Sequence, residues 1–130
     1  PRVLETFEAL AAGGDFMVVE GVGGFCVPLG DGLDTVTLAR RLALPVVMVV
    51  GLRLGCINHA LLTAQAIEAA GLPLAGWIAN SVDPRMSARE ENIATLATAL
   101  RAPLLGVLPH LPRADTRLMA RGLDCSALLP

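Results

Sequence analysis

The sequence predicts an α/β fold, a three-layer α/β/α arrangement around a mostly parallel, doubly wound sheet. Three observations predict it. Short, uncharged, β-branched runs alternate with segments of helical periodicity, the pattern of right-handed βαβ units. The strand-like runs are apolar throughout, as strands covered on both faces are. Finally, 54% of the 130 residues are hydrophobic, yet the longest apolar run, "LALPVVMVVGL" (Leu42–Leu52), holds Pro45 and is fenced by Arg41 and Arg53. A bilayer needs about 20 apolar residues, so this apolarity belongs to a core. The length suits a single domain, residues 1–130, with one core.

In chain order, Val3, Leu4, Phe7, Leu10 and Ala11 recur at helical spacing, so Arg2–Ala12 reads as an amphipathic helix stopped by Gly13-Gly14. "DFMVVE" (Asp15–Glu20) reads as a buried strand ending on a carboxylate. "DTVTLARRLA" opens on Asp34, an N-cap residue, and predicts a short helix. "PVVMVVG" (Pro45–Gly51) is a strand. The helix that follows, "GCINHALLTAQAIEAAG", turns Ile57, Ala60, Leu61, Ala64 and Ile67 to one side and stops at Gly71. "LAGWIAN" (Leu74–Asn80) is the third strand. "SARE" (Ser87–Glu90) has capping-box spacing and opens a helix with Ile93, Leu96, Ala97 and Leu100 inward. "PLLGVLP" (Pro103–Pro109) is the fourth strand despite its glycine, and Arg113–Arg121 a last short helix. The chain opens on a helix where such folds open on a strand, so it reads as the second part of one.

Composition excludes several classes. A net charge of −2 and no basic cluster beyond Arg40–Arg41 argue against a nucleic-acid surface, and no run is long enough to span a membrane. Cys26, Cys56 and Cys125 are odd in number and show no CxxC spacing, which points to free thiols in the cytoplasm. All ten basic residues are arginine. With no lysine and no GxxxxGK[ST] loop, any chemistry needing an ε-amino group must obtain it elsewhere.

Ligands of open α/β sheets bind beyond the carboxyl ends of the strands. Four loops lie there: Glu20–Gly24, Gly51–Asn58, Asn80–Arg85 and Pro109–Arg113. In "VVEGVGGFCVPL" (Val18–Leu29), Glu20 suits a hydrated Mg²⁺, while Gly21, Gly23 and Gly24 would bring backbone N–H groups to phosphate oxygens. A tight turn with Glu20 paired to an arginine is the structural alternative. Gly55, Cys56, Ile57 and Asn58 open a helix whose free N–H groups suit a carboxylate or phosphate, or simply start a helix that Asn58 caps. Nothing marks His59 as a base for Cys56, and a lone His110 between two prolines lacks partners for a metal. Asn80 suits the edge of a purine or an Asx turn, and Asp83 suits turn chemistry. Arg85, Arg89, Glu90 and Glu91 read as a solvated helix face.

Taken together, "VVEGVGGFCVPL", "LPVVMVVGLRLGCINHALLTAQAI", "LAGWIAN" and "APLLGVLPHL" resemble the dethiobiotin synthetase family in order and spacing, across most of Asp15–Leu111. The first block alone also recurs in cobyric and cobyrinic acid synthases; "GLRLGCINHALLTAQ" is the more specific. The resemblance implies a P-loop NTPase type of fold. It also implies a cytoplasmic, homodimeric, ATP- and Mg²⁺-dependent ligase of biotin biosynthesis. Such an enzyme closes a ureido ring from 7,8-diaminononanoate and CO₂ through a phosphorylated carbamate.

By position it implies that Glu20 is a metal ligand and nucleotide contact, and that Gly21, Val22 and Gly23 touch the nucleotide and carbamate. Gly55, Cys56, Ile57 and Asn58 would hold the substrate carboxylate across a dimer interface. Asn80 would read adenine with Ser81 beside it, Pro109, His110 and Leu111 would flank the base, and Asp115 is the nearest match to a further acid. Ser81 stands where the family often has an acidic or amide residue, and His110 where some members have tryptophan. The family's phosphate loop, its second lysine and its metal-binding aspartate have no counterpart here. The expectation is therefore the C-terminal portion of the enzyme, inactive alone, with no catalytic residue of its own. Two other readings fit the same residues: a cobyric or cobyrinic acid amide synthase, and a non-catalytic regulatory or oligomerisation domain of the same fold.

Overall fold

The computed structural model of the chain describes residues 2–128. Its contacts gather into two compact units that divide between Leu44 and Pro45.

The first unit opens with helix α1 (Arg2–Ala11), where Leu4 and Phe7 are half-buried and no residue is fully buried. The strand expected at Asp15–Glu20 does not form. That stretch is irregular, with Phe16 58%, Val18 81% and Val19 43% exposed. Strand-forming residues become a strand only by pairing, and no described residue forms a ladder with this segment. Glu20 therefore stands exposed in a loop rather than at the end of a buried strand.

Downstream, β1 (Pro28–Gly30) and β2 (Leu33–Asp34) form an antiparallel hairpin that the sequence reading missed. Its turn residues Asp31 and Gly32 both have positive φ, 51° and 73°. An Asp-Gly pair of this kind favours such a turn, and "LGDGL" carried the signal. Helix α2 (Thr35–Leu42) starts as expected at Asp34, whose carboxylate accepts the Thr37 N–H at 2.7 Å. Thr35 ties the preceding loop to the helix. Its Oγ1 accepts from the Val27 N–H at 2.9 Å and donates to the Phe25 carbonyl, and its own N–H donates to Val27 O at 2.9 Å.

The second unit is built on a parallel sheet of β3 (Val46–Gly51), β4 (Leu74–Asn80) and β5 (Leu104–Leu108), in that spatial order. Helix α3 (Cys56–Ala69) joins the first pair and α4 (Arg89–Ala99) the second. Sequential strand order with right-handed crossovers puts both helices on one face, so this unit holds two of the three expected layers. The core lies between them: Met48, Val50, Trp77 and Ala79 from the sheet, with Cys56, Ala60, Ile93 and Leu96 from the helices. Trp77 is fully buried. Burying roughly 200 Å² of indole stabilises by about 5 kcal/mol, more than the ~1–3 kcal/mol that its unpartnered Nε1–H costs. On β3, Val47 and Val49 face the other way and are exposed, so this strand alternates rather than being covered on both faces.

Helix α3 stops where expected. Gly71, at φ +75°, donates to Glu68 O at 2.9 Å and Leu72 donates to Ile67 O at 3.2 Å, a Schellman closure. The capping box expected at Ser87–Glu90 is not made. Ala88 is the N-cap, which leaves Ser87 one residue outside the helix and Glu90 one residue short of the reach-back position. Glu90 pairs instead with Arg89, at 2.8 Å, in solvent. Ala97, expected inward, is exposed because the buried stripe runs Ile93–Leu96–Leu100. The last helix, α5 (Thr116–Arg121), is shorter than expected and is followed by a 3₁₀ turn, Ser126–Leu128.

Gly106 explains why β5 tolerates a glycine. Its partner across an isolated antiparallel bridge is Leu123, and Asp124 N–H donates to Leu105 O at 2.7 Å. A Cβ on Gly106 would lie 2.0 Å from the Gly122 carbonyl oxygen, and its φ is +159°. Gly106→Ala is therefore expected to destabilise the chain by about 2–4 kcal/mol, read from the urea midpoint. An unchanged midpoint would show that the 122–124 segment does not hold to β5 in solution.

A pH dependence follows from Asp34. Hydrogen bonding from the Thr37 side chain, then from its backbone N–H, holds the carboxyl below its ordinary value of 3.8. A carboxylate depressed on folding contributes stability above its unfolded pKa and loses it as pH falls through the folded value. Between about pH 5 and about pH 2 the Thr37 amide should lose hydrogen-exchange protection, and Asp34→Asn should flatten that dependence.

Candidate functional site

Each unit presents its own set of candidate residues. In the first, Glu20, Gly21 and Val22 line a hollow of about 360 Å³ together with Leu29, Thr35 and Leu38. Glu20 is the one acid in that lining. The loop reaches it through Gly23 and Gly24, whose φ values of 76° and 136° are ones that side-chain-bearing residues rarely adopt. Gly21 has no such constraint, and a Cβ there would meet nothing within 4 Å. Thr35 was not singled out from the sequence. Its hydroxyl shapes the 25–27 loop behind the hollow, and only the "DT" at a helix start hinted at it.

In the second unit the carboxyl ends of the three strands come level. Gly51 pairs with Asn80, and Asn80 with Leu108. Beyond the ladder, Leu52 N–H donates to Asn80 O at 2.7 Å and Ser81 N–H to Leu108 O at 3.0 Å. This register brings Asn80, Ser81 and the Pro109–Leu111 loop to one edge of the sheet. Asn80 is half-buried, and Pro109 and His110 are exposed. Ser81 is 3% exposed, and its buried Oγ has no hydrogen-bond partner. Buried hydroxyls are normally satisfied, which marks this strand end as polar where the rest of the core is not. Asp83 does form a turn, accepting the Arg85 N–H at 2.9 Å.

The loop from the same edge leads into α3 through Gly55, at φ +90°. The sequence reading gave Gly55, Cys56, Ile57 and Asn58 free N–H groups. The structure corrects this for Cys56, whose N–H donates to Arg53 O at 3.0 Å because the positive φ of Gly55 folds the chain back into a tight turn. The N–H groups of Ile57 and Asn58 have no backbone acceptor among the described residues, so these two face a ligand or solvent at the positive end of a 14-residue helix. Asp115 caps α5, its Oδ1 accepting from Arg117 and Leu118 N–H at 3.0 Å each.

Among the described residues, no group of three or more His, Cys, Asp or Glu could hold a metal, and no helix is long and apolar enough to cross a membrane. The three cysteines are free; Cys26 and Cys125 are exposed and Cys56 is buried.

A family model described as an AAA domain matches residues 2–117 of this chain. The chain belongs to that AAA domain family. Three curated relatives agree, each named ATP-dependent dethiobiotin synthetase BioD. The protein from Aromatoleum aromaticum is 57% identical over 122 residues, 94% of this chain and 54% of its own length. The one from Ralstonia nicotianae is 54% identical over 129 residues, covering 99% and 56%. That from Janthinobacterium sp. is 62% identical over 112 residues, covering 86% and 48%. The resemblance to dethiobiotin synthetases read from the sequence is thus borne out. The chain spans about half the length of the curated relatives it matches. The AAA domain match takes in both units, from α1 through the start of α5.

Proposed function

We propose that this chain serves an ATP-dependent dethiobiotin synthetase, which closes the ureido ring of dethiobiotin from 7,8-diaminononanoate and CO₂ with ATP. The observation that carries the reading is identity of 54–62% to proteins of that name across nearly the whole chain. In this reading a carbamate forms on one amine of the substrate. ATP phosphorylates it, and the second amine displaces phosphate as the ring closes.

The residues divide by task. Asn80, at the strand end, offers an amide that both donates and accepts toward the adenine edge, with Ser81 beside it and Pro109, His110 and Leu111 flanking the base. Ile57 and Asn58 offer backbone N–H groups to the diamine's carboxylate, with Gly55 and Cys56 shaping the turn that presents them. Gly21–Gly23 admit the nucleotide and carbamate close to the backbone.

Mg²⁺ fits Glu20: a single exposed carboxylate at the rim of a hollow suits an ion that keeps several waters and takes one or two carboxylates plus phosphate oxygens. When bound it supplies charge neutralisation for the transferring phosphoryl group. Asp115 serves the nucleotide side with whatever capacity its capping role leaves. The enzyme works as a cytoplasmic homodimer, and residues 1–130 alone, without lysine, do not turn over.

The test is ADP release by the complete protein that depends on both diaminononanoate and bicarbonate. Its absence would overturn the reading. Glu20→Gln is expected to lower Mg²⁺-dependent turnover by about 10–100-fold with the fold intact by circular dichroism; wild-type kinetics across Mg²⁺ concentrations would remove Glu20 from the site. Asn80→Leu should raise KM for ATP about tenfold and leave KM for the diamine within about twofold. Equal weakening of both would remove the adenine contact.

A further inference from the structure

Asn92, in the first turn of α4, uses both ends of its side-chain amide. Nδ2 donates to the Ala88 carbonyl at 2.6 Å, and the backbone N–H of Asn92 reaches the same oxygen at 3.1 Å. That donor role fixes which way the amide points, so Oδ1 is left to accept, and the Cys56 Sγ lies 3.6 Å from it. Cys56 is the first residue of α3 and is 2% exposed. It is therefore held twice, by its N–H to Arg53 O and by its thiol to Asn92. The next two N–H groups, of Ile57 and Asn58, are the ones without a backbone acceptor among the described residues.

We infer that Asn92 is a positioning residue: acting through the Cys56 thiol, it sets how the first turn of α3 presents the Ile57 and Asn58 N–H groups to the substrate carboxylate. The inference rests on the synthetase reading above. Apolar contact already holds the two helices together, through Ala60 on α3 and Ile93 and Leu96 on α4. Such contact is non-directional. The Cys56–Asn92 pair is a directional link between the helix starts, and it sits beside the open donors. Asn92 also has an evident reason to be there, since no side chain at the N-cap secures the start of α4.

The test is a double-mutant cycle in the complete enzyme with Asn92→Leu, Cys56→Ala and both together. Each single change is expected to raise KM for diaminononanoate about tenfold, and the pair no further than either alone. KM for ATP and kcat should stay within about twofold of wild type. Cys56→Ser keeps a donor and should recover most of what Cys56→Ala loses. A rise in KM for Asn92→Leu without one for Cys56→Ala, or additive rises, would overturn the coupling, as would a loss spread over every kinetic parameter alongside a lower Tm. Where Asn92→Leu does not fold, the Cys56→Ala and Cys56→Ser pair decides alone. No turnover by the unmodified enzyme would sink the synthetase reading and this role with it. Normal turnover with no selective KM effect would sink the role by itself.

Discussion

The register of the β3–β4–β5 ladder is the constraint on which the second unit depends. Parallel strands bond at even spacing, so one pairing fixes those that follow it up to any bulge. Met48 opposite Trp77 carries through to Gly51 opposite Asn80, three residues on in each strand. One extra residue in β5, Leu105, shifts the register, so that Leu104 opposite Trp77 leads to Leu108 opposite Asn80. The core enforces the first of these rows. Trp77 fills the space under α3 and α4, and a one-residue slip would turn it to the exposed side. Between β3 and β4 the second row is a consequence; from β4 to β5 it also takes the extra residue in β5. Asn80 lies level with Gly51 because the tryptophan about ten ångströms back along β4 can occupy only one face. The register shift in β5 brings Leu108 and the loop after it to the same end of the sheet.

The same logic explains which parts of the fold were legible from sequence. β3, β4 and β5 are short apolar runs between glycine, proline and polar turns, and each found a partner within the unit. "GCINHALLTAQAIEAAG" carried its own start and stop in Gly55 and Gly71, and both glycines take the positive φ those roles demand. Asp15–Glu20 has equal strand propensity and no partner, so its valines stay exposed. Propensity describes a surface ready to pair, not the pairing. The capping box failed by one residue of helix register, a difference that pattern matching at ±1–2 residues does not resolve. The hairpin at Pro28–Asp34 was legible only in its Asp-Gly turn, because strands of three and two residues are too short to show an alternating pattern.

For the candidate site, sequence identified positions better than it identified groups. Asn80, Ser81 and the start of α3 are where the spacing put them, while Glu20, expected at a strand end, lies in an exposed loop. What the spacing could not show is which polar atoms are already used. Cys56 N–H is consumed by a turn, Asp115 by a cap, and Thr35 by the loop it anchors. Asn92 was invisible because its role lies in two contacts 36 and four residues away along the chain, and neither leaves a periodic trace.

The donors at these edges have one further property in common. Ile57 and Asn58 N–H, the Asn80 amide and the Ser81 hydroxyl are all neutral, and the chain's basic residues are arginines with no lysine among them. Ion pairs involving Arg85, Arg89 and Arg101 lie in solvent, where such pairs contribute little. Neutral donors give direction to a bound carboxylate or base, but they do not offset the charge that builds on a phosphoryl group in transfer. In the proposed reaction these residues therefore belong with binding, where their loss is felt in KM. In the same proposal Glu20 would stand apart, because a carboxylate holding a cation acts on the charge itself, and its loss would be felt in turnover.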